Sequence, residues 1–266
     1  ATDAMNAFTL GDLRVELRDY VAQIEICRPP HNYFDAQLID DLATLLERLE
    51  DDPACRTSVL CSAGKSFCAG ANFGSSAAQA VTATSGSRPL SLYDHAVRIF
   101  QIRKPIIAAV QGPAIGGGFG LALAADFRVA TPEARFSANF VKLGTHAGFG
   151  ITYTLPRVIG GQRANLMLYT GRRIGGKEAH DWGLADLLVE PDRLRDAAFD
   201  LAREIALNAP LAVTETKATM RAAYPDAIRR HTAIEQEKQM RLFATEDHLE
   251  GVKAVAERRE AQFRAR

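Results

Sequence analysis

Charge of one sign is what this chain has least of. Its 266 residues carry 32 Lys plus Arg against 32 Asp plus Glu, a formal net charge of zero. A neutral chain has no electrostatic footprint for a nucleic-acid backbone or an anionic membrane surface. The one basic concentration, Arg258, Arg259, Arg264 and Arg266, is diluted by Glu257 and Glu260 and reads as a solvated helix end. Cysteine is scarce as well: Cys27, Cys55, Cys61 and Cys68 form no C-x-x-C pair and have no histidine cluster at metal spacing. No metal site and no disulfide framework is expected, and the thiols read as buried small hydrophobes in a reducing compartment. No apolar run approaches the roughly 18 residues that span a bilayer. The first residues lack the basic and apolar segments of a secretory leader, so a cytoplasmic protein is expected.

Several chemical signatures are missing too. There is no G-x-S-x-G elbow, no H-E-x-x-H and no G-x-G-x-x-G fingerprint. The stretch from Gly171 to Lys177 resembles the start of a phosphate loop, but Glu178 stands where the Mg²⁺-binding hydroxyl belongs, so it reads as a glycine turn opening a helix. His180, His231 and His248 fall in helical segments, and each reads as a surface or half-buried histidine rather than a ligand.

What is present is an alternation of strand and helix. Residues 13–17 and 20–27 alternate with period two and predict a hairpin. Asp35 stands at an N-cap before Leu38, Leu42, Leu45, Leu46 and Leu49 at helical spacing. Strands are predicted at 57–61, 106–110 and 127–130, with helices at 92–102 and 121–125. The pattern is α/β with crossover connections. The Gly/Ala/Ser/Thr-rich stretch 74–87 is the least patterned part of the chain and is expected to be mobile. From about Pro191 onward the periodicity is helical, broken near Pro210, Pro225 and Thr245. This divides the chain into an α/β core over residues 1–190 and a helical module over residues 191–266.

Two segments carry the chemistry. One runs from Ser58 through Phe67-Cys68-Ala69-Gly70-Ala71-Asn72, the other from Lys104 through Gly112-Pro113-Ala114-Ile115-Gly116-Gly117-Gly118-Phe119-Gly120. Each feeds a strand into a turn of small residues, leaving backbone N–H groups free to face a ligand. Two such donors aimed at one carbonyl oxygen would form an oxyanion hole.

These segments resemble the crotonase (enoyl-CoA hydratase/isomerase) superfamily. The likeness extends through Arg28-Pro29-Pro30-His31-Asn32, Ala125-Asp126-Phe127-Arg128, Tyr169-Thr170-Gly171-Arg172, Gly183-Leu184-Ala185-Asp186 and Glu257-Arg258-Arg259. The resemblance implies a core of spiralling ββα units and a C-terminal helical trimerisation module, assembled as a homotrimer or a dimer of trimers. It implies a coenzyme A thioester as substrate, with no further cofactor. It places the oxyanion donors at the N–H groups of Ala71 and Gly117. It also places the CoA path along Arg28, Pro30, His31 and Asn32 and along Ala69, Ala71, Asn72, Phe73 and Gly74, with Arg28 or Lys65 meeting a phosphate.

The chain departs from the family where acid–base groups are expected. Hydratases of the family carry two glutamates; here the corresponding residues are Gly120 and Phe140. An aspartate used by other members would fall at about Gly148. Gly120 and Phe140 resemble the 4-chlorobenzoyl-CoA dehalogenases, in which the aromatic lines the acyl pocket, but the aspartate nucleophile is missing. Among the remaining titratable groups His146 heads the candidates for base or acid, followed by Tyr153 and then Tyr93, Asp94 and His95. Two functions follow: an enzyme acting through a thioester enolate without ordinary hydration, or a catalytically silent CoA-thioester binding protein.

Overall fold

The computed structural model describes residues 6–72 and 91–266. Phe73, Gly74 and the small-residue stretch to residue 87 lie outside the described residues.

β1 (Asn6–Leu10), β2 (Leu13–Arg18) and β3 (Val21–Ile26) form an antiparallel meander, with Leu13 opposite Leu10 and Ile26. Asp19 and Tyr20 adopt φ of 49° and 64°, the left-handed pair that a tight hairpin turn requires. β1 is an addition to the hairpin expected from sequence. Asp35 then caps α1 (Ala36–Asp51), accepting the Leu38 N–H at 2.9 Å. The helix buries Leu38, Ile39, Leu42, Ala43, Leu45, Leu46 and Leu49 along one stripe. Truncating one such buried leucine to alanine typically costs about 2–5 kcal/mol.

From β3 the sheet continues in parallel through β4 (Thr57–Ser62), β5 (Ile106–Val110), β7 (Phe127–Ala130) and β10 (Leu187–Leu188). Every residue of β4 and β5 is buried, because helices cover both faces. On one face lie α1, α2 (Leu92–Phe100) and α3 (Gly117–Ala124). On the other, Val59, Cys61, Ile107, Ala109 and Val129 meet Leu194, Ala198, Phe199 and Ala202 of α7 (Leu194–Ala206). The first long helix after Pro191 therefore packs directly on the sheet of the α/β core. A second, three-stranded sheet joins β6 (Pro113–Ile115) in parallel to β8 (Arg135–Ser137) and β8 antiparallel to β9 (Arg173–Gly175).

The remaining helices are α4 (Ile151–Ile159), α5 (Gly161–Thr170), α6 (Gly176–Asp181), α8 (Pro210–Met220), α9 (Tyr224–Phe243) and α10 (Glu246–Glu257). The sequence breaks fall at their starts: Pro210 opens α8, Pro225 lies in the first turn of α9, and Thr245 caps α10. None of the residues of α8 is buried, and Leu211 and Met220 are 78% and 79% exposed. What holds this helix is charge: Asp126, at the start of β7, meets Lys217 at 2.8 Å and Arg221 at 3.1 Å.

Cys55, Cys61 and Cys68 are buried, and burial pushes the Cys61 and Cys68 thiols up to about 12, leaving them protonated and inert. The phosphate-loop look-alike is a packing turn: a Cβ at Gly176 would overlap the Thr131 carbonyl. Among the described residues no helix is long and apolar enough to cross a membrane, and no three His, Cys, Asp or Glu stand where they could hold a metal.

Candidate active site

Parallel pairing of β4 with β5, Ser58 opposite Ile106 and Leu60 opposite Ala108, delivers the two small-residue segments to the same end of the sheet. There they lock together. The Phe67 and Cys68 N–H groups donate to the Pro113 carbonyl at 3.0 and 3.1 Å, and the Ile115 N–H donates to the Cys68 carbonyl at 3.0 Å. Glycine is required at the junction. A Cβ at Gly70, whose φ is +80°, would lie 2.9 Å from the Ile115 oxygen and 3.3 Å from the Gly117 nitrogen; one at Gly118 would overlap the Cys68 carbonyl. Gly116 has φ 58° and ψ −123°, a conformation reserved for glycine, and it starts α3 without a side-chain cap.

The N–H of Gly117 is consequently one of the unpaired donors of a helix start. Ala71 stands next to it across the Gly70 turn, itself positioned by a bridge to Phe34. Among the described residues neither N–H has a backbone acceptor, and Ala71 and Gly117 both line a cavity of about 590 Å³.

The wall of this chamber is largely apolar. Phe34, Phe140, Phe149 and Leu143 come from the core, and Phe243 and Val255 from α9 and α10. Phe34 and Phe149 pack with ring centroids 5.5 Å apart. The aromatics also occupy the places where carboxylates were sought. A Cβ on Gly120 would come within 2.6 Å of the Phe149 Cβ, so Phe149 fills the space beyond the triple glycine. Phe140 is a buried ring in the wall. At Gly148 a Cβ would overlap the Tyr93 hydroxyl and lie 2.6 Å from Gln239 Nε2.

Of the residues read from sequence, His31, Ala69, Ala71, Asn72, Gly117 and Phe140 line the chamber. Arg28, Pro30, Asn32 and His146 are not on its wall. Arg28 is held by Asp12 at 2.6 Å and Asp35 at 3.1 Å, and Lys65 is exposed. Asn32 is fully buried; its Oδ1 accepts the Arg28 N–H at 2.9 Å and its Nδ2 donates to the Ala63 and Ser66 carbonyls at 2.7 Å. It thus pins one turn of the proposed CoA path to the other. His146 directs Nδ1 at the Ala147 carbonyl, 2.8 Å away, while its own carbonyl accepts from Gln239 Nε2 at 2.9 Å. Tyr153 is committed to packing against Tyr224, His231 and Arg157. Asp94 completes the capping box of α2 with Ser91, and His95 faces Asp40 at 3.4 Å.

Tyr93 alone of that lower-ranked group reaches the chamber. Its hydroxyl donates to Gln239 Oε1 at 2.7 Å. Burial holds the phenol well above its ordinary range; the nearby Glu235 charge adds to this, and the Gln239 and Phe149 hydrogen bonds oppose it. Glu235 lies behind the wall. Burial raises it to about 7, against donors from Thr152 and Gly150. Its oxygens accept the Gly150 N–H at 2.8 Å, the Thr152 N–H at 3.2 Å and the Thr152 hydroxyl at 2.6 Å, capping the start of α4. Phe149 and Phe34 were within the stretches read as pocket and CoA path, and both line the chamber; Glu235 and Gln239 went unnoticed in the sequence.

Fold and chamber define an α/β protein with two small-residue turns at the carboxyl ends of parallel strands overlooking a largely apolar cavity. Residues 16–266 match enoyl-CoA hydratase/isomerase, and the chain belongs to that enzyme family. It is 34% identical to a carnitinyl-CoA dehydratase of Proteus mirabilis (strain HI4320) over 260 residues, covering 96% of this chain and 98% of the relative. It is 36% identical to the (E)-benzylidenesuccinyl-CoA hydratase of Thauera aromatica over 256 residues, covering 94% and 98%. Among solved structures, an enoyl-CoA hydratase/isomerase from Pseudoalteromonas atlantica T6c superposes with a TM-score of 0.85 at 29% identity, covering 95% of this chain and all of that one.

Proposed function

We propose that this protein binds a coenzyme A thioester with its carbonyl oxygen between the N–H groups of Ala71 and Gly117, and that it works through the thioester enolate rather than by ordinary hydration. The observation that carries this reading is the pair of N–H groups on one chamber wall that have no backbone acceptor among the described residues. Such donors stabilise the negative charge that develops on a thioester oxygen, and losing one typically costs about 3–4 kcal/mol of transition-state stabilisation. Adding water across a double bond needs a carboxylate to activate it and another acid–base group at the α-carbon. No Asp or Glu is on the chamber wall among the described residues, and residues 73–90 contain neither. The relatives are named for hydration and dehydration, so the departure proposed here is local to positions 120 and 140.

The apolar wall suits an apolar or aromatic acyl group, in keeping with the aromatic acyl group in the name of the Thauera relative. His31, Ala69 and Asn72 lie on the side where the CoA arm would enter. Assembly as a trimer or dimer of trimers would cover the exposed apolar residues of α8.

The missing carboxylates also favour a second reading, a silent thioester-binding protein. Exchange of the α-protons of a bound saturated acyl-CoA into D₂O, followed by mass spectrometry beside a binding titration, separates the two. Exchange supports the enolate; binding without exchange supports the silent protein.

A further inference from the structure

An enolate needs a group that can move a proton, and the chamber offers few. Its described titratable wall residues are His31, Tyr33, Tyr93 and Arg173. The segment 73–90 adds Arg88 but no Asp, Glu, His, Cys, Lys or Tyr. Arginine does not release its proton in proteins. His31 is exposed and stacked beside Tyr33, 5.2 Å between ring centroids. Tyr93 stands deeper, its hydroxyl against Gly148, next to the Phe149 that packs over Gly120 and against Phe34, the ring covering Gly117.

Its orientation is fixed from behind. Gln239 Nε2 must donate to the His146 carbonyl, so its Oε1 faces Tyr93 and receives the phenolic proton. The glycine at 148 is what makes room for this hydroxyl.

We propose that Tyr93 is the catalytic residue that gives a proton to the α-carbon of the thioester enolate. The inference rests on the enolate reading above. In this step the Tyr93 O–H turns from Gln239 Oε1 to the enolate, the enolate electron pair forms the new C–H bond, the thioester C=O is restored, and the Tyr93 O–H bond breaks. The phenolate left behind keeps its hydrogen bond from the Phe149 N–H and regains a proton from water after product leaves. By microscopic reversibility, the phenolate removes the α-proton in the exchange reaction. The groups acting on the hydroxyl are Gln239 and Glu235 from α9 and the Phe149 N–H from the 146–150 loop; among the described residues Glu235 is the charge in this set. Because burial disfavours the phenolate, exchange must quicken steadily with pH and show no plateau in the neutral range.

The test is α-proton exchange of 3-phenylpropionyl-CoA in D₂O from pH 6 to 9. The expected wild-type rate rises with pH by up to about tenfold per unit, less steeply near pH 7 where Glu235 loses its proton and its charge opposes the phenolate. Tyr93→Phe should slow exchange by about 10²-fold or more, as loss of a proton-transfer group does, with thioester affinity within about threefold. A fluorinated tyrosine at position 93, of lower phenol pKa, should quicken exchange at pH 7, a response that a purely structural tyrosine would not give. Wild-type exchange that Tyr93→Phe leaves unchanged overturns the assignment and spares the enolate reading. A plateau near the free-histidine pKa of about 6.5, lost in His146→Ala, overturns it in favour of His146. No exchange by wild type overturns both the assignment and the enolate reading.

Discussion

Restoring the carboxylate after the triple glycine should fail, and the structure says by how much. A Cβ at Gly120 would sit 2.6 Å from the Phe149 Cβ and 3.0 Å from its Cγ and Cδ1. Phe149 cannot swing away, because it is fully buried between Phe34 and Phe100, with ring centroids 5.5 and 6.4 Å away. Gly120→Ala should therefore cost about 1–3 kcal/mol, the usual penalty for overpacking a filled core. Gly120→Glu adds an unpartnered carboxylate in an apolar wall, worth several kcal/mol more. Because the nearest clash is with a Cβ, Phe149→Ala does not relieve it, whereas Phe149→Gly does. That second change loses about 3–5 kcal/mol of aromatic burial, offset by relief of the left-handed backbone at Phe149, φ 58°, worth about 1–2 kcal/mol. The double variant Gly120→Ala/Phe149→Gly should then be about 1–2 kcal/mol more stable than the sum of the single changes. Urea unfolding of the four proteins measures the cycle, and crotonyl-CoA hydration by Gly120→Glu measures function. Additive energies, or a Gly120→Glu protein of wild-type stability that hydrates at an ordinary hydratase rate, would refute the claim that Phe149 has taken the carboxylate's place.

Other consequences are quickly checked. Glu235 is raised from 4.5 to about 7, so between these pH values the folded chain holds a proton that the unfolded chain has lost. Its contribution to stability is full below pH 4.5 and declines as pH rises towards 7, by about 3 kcal/mol at most; subtracting the stability–pH curve of Glu235→Gln from that of wild type should reveal this falling slope. Asp126→Ala strands Lys217 and Arg221 in largely buried positions and should cost about 3–5 kcal/mol by chemical denaturation, whereas Asp226→Ala, whose partner Arg229 is exposed, should cost less than about 1 kcal/mol. Sedimentation at micromolar concentration should give a trimer or hexamer, and a stable monomer would count against covering of the exposed face of α8.

The parts of the fold legible in sequence are those with one dominant local cause. Period-two burial exposed β2, and Asp35 with its leucine stripe exposed α1, while β3 is buried along nearly its whole length. The apolar runs of β4 and β5 are strands buried on both faces, where a short unbroken run is the expected signature. β1 escaped notice because Asn6–Leu10 has no such pattern and borrows its order from β2. The helical period of α7 was visible, but a stripe of Leu194, Ala198 and Ala202 does not state what it faces. The sheet's second face, Val59, Ile107 and Val129, claims it.

The site divides along the same line. The turns at Gly70 and Gly116–Gly118 could be read because backbone contact at Gly70 and Gly118 and the positive φ of Gly116 demand glycine, a constraint written in single letters. The Tyr93–Gln239 bond joins residues 146 positions apart and leaves no local trace. His146 was conspicuous as the histidine of the right loop, yet the loop turns its ring to the Ala147 carbonyl and offers its backbone to Gln239. Phe149, on the same loop, explains the glutamate's absence better than any single position could. Once that ring closes over Gly120 the wall is apolar, and an apolar wall penalises every charge placed on it. The same desolvation keeps the Tyr93 phenol protonated and, in the proposed mechanism, would strengthen the pull of the Ala71 and Gly117 N–H dipoles on a developing oxyanion. On the proposed reading, an apolar wall without carboxylates and a neutral proton donor are two results of one packing arrangement, and a variant that rewets the wall should lower the Tyr93 phenol pKa and weaken the hold on the oxyanion together.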